Sequence, residues 1–139
     1  MNMKHKSGFT LLEIIIVIII IGVLASLALP RLFSTVEYSR ATEAFSAIQA
    51  LRGSLERCYL GRGGNYTGCD IGVIDVENPA FSNNSHFTYT ITGQNVTGYV
   101  VTAFRNTRDG GGGTANSILL TQAAAGITRT GTTAFQGVQ

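Results

Sequence analysis

The sequence predicts an α+β chain: a long amino-terminal helix, apolar and then amphipathic, packed on a small antiparallel sheet of three or four strands. Three observations carry this. From Phe9 to Leu29, twenty-one residues include one charged side chain, Glu13. From Arg31 to about Tyr59, apolar residues recur at spacings of three and four. From His86 onward the period switches to two, as in His86-Phe87-Thr88-Tyr89-Thr90-Ile91-Thr92.

The apolar half of the helix comes first. About 20 apolar residues, rising 1.5 Å each, cross a bilayer core, so Phe9–Leu29 can sit in a membrane. Lys4 and Lys6 precede it and would hold its start in the cytoplasm. Glu13 breaks the pattern. A carboxylate in an apolar helix costs several kcal/mol unless neutralised, which makes it a functional candidate that needs a partner. A cut between Gly8 and Phe9 would create an α-amino group, and on a neighbouring subunit that cation could pair with Glu13. The plainer alternative is a carboxylate favoured by the positive end of the helix dipole. Ala25-Ser26-Leu27-Ala28 imitates an ordinary secretory cleavage site. A cut there explains neither Glu13 nor the helical pattern beyond Pro30.

Lys6-Ser7-Gly8-Phe9-Thr10-Leu11-Leu12-Glu13, followed by the isoleucine-rich run, resembles the prepilin signature of type IV pilins and type II secretion pseudopilins. The resemblance covers roughly the first 30 residues and is specific in combination, where a bare Gly-Phe pair would be weak. It implies that residues 1–8 are a leader removed by a membrane peptidase and that Phe9 becomes the methylated first residue. It also implies that Glu13 is the glutamate of the assembly salt bridge, and that Gly22 and Pro30 soften the helix. Proline removes the hydrogen bond to Ser26 and kinks a helix, while glycine weakens it by up to about 1 kcal/mol. Either a simple kink or local melting in a filament fits.

Residues 9–30 then form the membrane or filament-core half, and residues 31–139 a globular head. In the head, residues 31–59 are helix, 60–85 loop and 86–139 a β-meander. Ala41, Ala44, Ile48, Leu51, Leu55 and Cys58 make one apolar stripe, widened by Phe45. Ala47 and Ala50 allow close contacts. Glu37–Arg40 and Arg52–Glu56 are candidate pairs worth a few tenths of a kcal/mol each. The rod from Phe9 to about Cys58 would measure about 75 Å, its second half covered by the head. Gly61-Arg62-Gly63-Gly64-Asn65 stops the helix. Cys58 and Cys69 are the only cysteines. In an exported chain they are expected to form a disulfide closing the loop onto the helix end, worth about 2–3 kcal/mol. Many type IV pilins bridge cysteines near the C-terminus instead, so their C-terminal receptor-binding loop is not carried over. Strands are expected at residues 86–92, 97–105, 117–121 and 126–130, with a flexible loop from Asn106 to Ala115.

Catalytic and cofactor chemistry is not expected. Without the leader, His86 is the only histidine, and two cysteines alone are half a zinc site. The glycine run Gly110–Gly113 lacks the lysine and helix of a phosphate loop. Asp70, Asp75, Glu77 and Asp109 match no calcium loop, and the chain has no tryptophan for the pseudopilin calcium segment. Asn65, Asn83 and Asn95 begin N-x-S/T sequons, read as surface turns. Ten basic side chains, less the two leader lysines, balance eight acidic ones. Such a chain carries no broad nucleic-acid footprint, and Arg105 with Arg108 is a thin substitute.

The expected function is a structural subunit that polymerises into a helical filament of its own copies. The implied partners are a prepilin peptidase and methyltransferase, an inner-membrane assembly platform with its ATPase, and the membrane. The chain is expected in the bacterial inner membrane as a single pass, and at the cell surface after assembly. The alternatives are a type II secretion pseudopilin, a minor pilin, and a membrane-anchored surface- or DNA-binding module.

Overall fold

The computed structural model describes residues 9–82, 84–108, 113–132 and 135–136. The chain divides into two compact units, Met1–Val36 and Glu37–Gln139. One helix, α1, runs from Leu11 to Gly61.

Thr10 starts α1: its Oγ1 accepts the Glu13 backbone N–H at 3.2 Å, taking up one of the donors that a helix start leaves orphaned. Within the first unit the helix is continuous through Gly22 and Pro30. Hydroxyls bond back to carbonyls of the preceding turn, Ser26 to Val23 at 2.7 Å and Thr35 to Arg31 at 2.9 Å.

In the second unit the expected stripe is the buried face of the helix. Ala41, Ala44, Ile48, Leu51 and Leu55 are each at most 2% exposed. Four strands follow in a simple antiparallel meander: β1 (Phe87–Thr92), β2 (Tyr99–Arg105), β3 (Gly113–Ala123) and β4 (Gly126–Gly131). The pairings Tyr89↔Ala103↔Ile118 and Val101↔Leu120 set one row of apolar residues against the helix stripe. Each fully buried Leu, Ile or Phe here contributes about 1.5–3 kcal/mol relative to exposure. The opposite face carries Thr88, Thr90, Thr92, Thr128 and Thr130, all exposed.

Several boundaries differ from the expectation. β2 starts at Tyr99 rather than residue 97, because Asn95 holds the turn. Its Oδ1 accepts from Thr97 N at 2.8 Å, Thr97 Oγ1 at 2.9 Å and Gly98 N at 3.0 Å. Gly98 is needed there, since a Cβ would stand 2.0 Å from the Gln122 carbonyl oxygen. β3 begins at Gly113, inside the expected loop, because a register shift between Phe104 and Arg105 pairs Arg105 with Gly113. The sequence offered no role for Phe135. It is fully buried, its ring centroid 5.8 Å from that of Phe87. Its carbonyl lies where a Cβ on Gly131 would be.

Candidate functional site: an exposed apolar helix and a latched head

In the first unit every large apolar side chain from Phe9 to Leu29 is exposed, Phe9 at 81% and Leu27 at 72%. The most apolar 18-residue window has a mean hydropathy of 3.0, and none of it is buried. The helix is therefore long and apolar enough to cross a membrane. Contiguous apolar exposure on this scale marks a membrane or interface surface. Glu13 lies in the first turn, exposed, and its carboxylate has no partner among the described residues. Both readings of Glu13 keep their geometric basis: the helix dipole favours it, and no cation meets it among the described residues. Gly8 lies outside the described residues. A Cβ on Gly22 would meet nothing within 4 Å, so packing inside this chain does not demand glycine there.

The second unit is held by polar links between α1 and the sheet. Arg105 is fully buried. Its Nε donates to Glu37 Oε2 at 3.2 Å and its Nη2 to Glu37 Oε1 at 3.3 Å. Its Nη1 donates to the His86 and Asn106 carbonyls at 3.2 and 3.0 Å. Arg40 joins at 2.5 Å from Glu37, realising the expected i,i+3 pair. Burial alone would raise the Glu37 carboxyl, but hydrogen bonds from Arg105 and Arg40 outweigh it and hold it below the ordinary carboxylate range. Glu43 makes a second link, accepting from His86 N at 2.9 Å and meeting its Nδ1 at 2.7 Å. The thin basic pair therefore does not exist as a surface: Arg105 is committed to the interior, where no nucleic acid reaches it.

Cys58 and Cys69 form a disulfide, with Cα atoms 6.1 Å apart, tying the loop to the last turn of α1. Beside it Tyr66 packs between Tyr59, tilted against it, and Tyr99, which it meets edge-on, with centroids at 4.4 and 4.8 Å. Glu56 accepts the Tyr66 hydroxyl at 3.1 Å rather than pairing with Arg52. Burial, reinforced by Glu56, pushes the Tyr66 phenol up to about 12. The acidic residues of the loop are occupied separately. Asp75 accepts from Arg57 at 2.6 and 2.8 Å and from Ser54, and the Arg57 bond foremost lowers its carboxyl to about 2. Asp70 accepts from the Gln94 amide at 2.8 Å. Among the described residues no three His, Cys, Asp or Glu gather as a metal site, and Asp109 lies outside them. Asn65 and Asn95 use their side chains to close turns, as their sequons suggested. Asn83 is not among the described residues.

A family profile for the prokaryotic N-terminal methylation motif matches residues 3–29. The type II secretion system core protein G of Aeromonas hydrophila is 45% identical over 56 residues, covering 40% of this chain and 39% of its own. The Escherichia coli protein of the same name is 53% identical over 51 residues, 37% of this chain and 35% of its own. A third relative, fimbrial protein EcpC of Eikenella corrodens, is 35% identical over 98 residues, 70% of this chain and 56% of its own. Over residues 3–29 the chain carries this methylation motif, and it is similar to secretion core proteins and to a fimbrial protein. The chain spans about four-tenths of the length of the secretion core proteins it matches, and just over half of EcpC. No solved structure matches it. One long apolar helix packed on a four-stranded antiparallel sheet is the type IV pilin fold.

Proposed function

We propose that this chain is the structural subunit of a type IV pilus, cut after Gly8, methylated on Phe9 and polymerised through α1. The observation that carries the reading is the uninterrupted exposed apolar surface from Phe9 to Leu29, with one unpartnered carboxylate, Glu13, in its first turn. Such a surface needs lipid before assembly and neighbouring subunits after it. The α-amino group of a neighbour's Phe9 is the cation that would neutralise Glu13, fixing the axial offset between copies. The subunit waits as a single pass in the inner membrane. A prepilin peptidase and methyltransferase processes it, and an assembly platform with its ATPase extracts it to the surface. Gly22 and Pro30 soften the segment between membrane and head.

The pseudopilin reading is the alternative, supported by the identity to the secretion core proteins. The pilus reading is preferred because the 98-residue match to a fimbrial protein is longer than α1 itself and so extends into the head. The deciding experiment is the intact mass of the chain in material sheared from cells. A chain starting at Phe9, heavier by one methyl group and lighter by two hydrogens for the disulfide, supports a surface pilus. A processed chain found only in membranes moves the assignment to the pseudopilin, and a chain starting at Met1 or after Ala28 refutes filament assembly. Glu13→Ala is expected to insert into membranes normally and to polymerise poorly. Normal filament yield from that variant would remove Glu13 from the mechanism.

A further inference from the structure

The two edges of the sheet are chemically unlike. At the β1 edge, helix residues, the loop before β1 and Tyr89 enclose an open groove of about 730 Å³. Its wall includes Glu77, exposed and without a partner among the described residues, and Phe81, 73% exposed. Ala50 adds a small side chain that leaves room, and Tyr89 forms part of the wall. The groove wall thus offers a free carboxylate and an exposed phenyl ring.

The β4 edge carries the complement. Register pairs Arg129 with Leu120 and Ile127 with Gln122, which puts both on the core-bearing face of the sheet. Yet both stay exposed, Ile127 at 37%. Among the described residues Arg129 has no ion-pair partner, and β4 is an edge strand of the sheet. A cation and an aliphatic side chain stand at one edge, and a free carboxylate and an exposed phenyl ring at the other.

We propose that the β4 edge of one copy docks in the β1-edge groove of the next, Arg129 meeting Glu77 and Ile127 meeting Phe81. The two patches are different surfaces at opposite edges of one sheet, so the contact is heterologous. Repeated, such a contact gives an open helical array instead of a closed dimer. It rests on the filament reading and adds to it a head-to-head contact, separate from the apolar helix and from Glu13.

The test uses filaments of the full chain carrying Glu77→Cys and Arg129→Cys, with the native cysteines already paired. Oxidation is expected to give a ladder of covalent multimers on a non-reducing gel, and neither single variant should give it. Charge reversal supplies a second readout. Glu77→Arg should lower filament yield about tenfold by setting two cations together, and adding Arg129→Glu should restore it. Filaments that form without a ladder, or a ladder that stops at dimers, overturn the docking while leaving the filament reading intact. If the unaltered chain forms no filaments, both readings fall.

Discussion

Glu37 and Arg105 are not equivalent partners, and truncating each should show it. Replacing Arg105 by Met removes the guanidinium, but Glu37 keeps Arg40 at 2.5 Å and the His86 carbonyl keeps the Asn106 N–H at 2.9 Å. The Asn106 carbonyl loses the Arg105 donor, and methionine fills much of the volume. Arg105→Met should therefore cost about 1–3 kcal/mol, the range for one buried polar group left without its bond. Replacing Glu37 by Ala instead leaves a fully buried guanidinium without its carboxylate. Breaking a buried pair in that sense costs about 3–5 kcal/mol. The difference, roughly 2 kcal/mol, corresponds to about 1 M in urea midpoint for a slope of 1–3 kcal/mol per molar. Tyrosine fluorescence of the full chain in detergent follows the transition, since there are five tyrosines and no tryptophan. Adding Arg105→Met to Glu37→Ala should recover part of the loss. If Arg105→Met alone proves as damaging as Glu37→Ala, the asymmetry argument is wrong.

Other outcomes follow from the same contacts. The Glu37 carboxyl is held below its ordinary value of 4.5, so its contribution is complete above that pH and is lost as pH falls through the lowered native value; acid titration of stability should be shallower in Arg105→Met. Tyr66 is shifted the other way, so its contribution is complete below pH 10 and fades as pH rises toward about 12. Ultraviolet titration should find a late tyrosinate that Glu56→Gln moves earlier. Cys58→Ser with Cys69→Ser should lower stability by about 2–3 kcal/mol, read from urea unfolding with and without reductant. Gly98→Ala and Gly131→Ala should each unfold the head at markedly lower urea, because the added Cβ meets a carbonyl oxygen at 2.0 Å; Gly72→Ala, with nothing within 4 Å, should not.

Local pattern carried much of the fold. The stripe from Ala41 to Leu55 and the alternation in β1 follow from helix and strand periodicity, and both lie where periodicity put them. The disulfide was legible because the chain holds only two cysteines. What failed depended on partners distant in sequence. Glu37 and Arg105 are 68 residues apart, and no spacing rule links them. The early start of β3 is a matter of register against β2, invisible within its glycine-rich segment. Phe135 follows a threonine-rich stretch with no period, and its burial reflects the close approach of backbone to Gly131. On the assembly side, Glu13 was conspicuous because charge stands out in an apolar run. Arg129 was not, because an arginine in a polar strand looks ordinary until the sheet order places it at an unguarded edge.

The threonines on the open face of the sheet bear on how this protein can change over generations. Thr88, Thr90, Thr92, Thr128 and Thr130 point away from the core and are all exposed. Substitutions at such positions usually alter stability by no more than about 0.5 kcal/mol. Lineages can therefore rewrite this face freely while Leu51, Phe87 and Arg105 keep the scaffold constant.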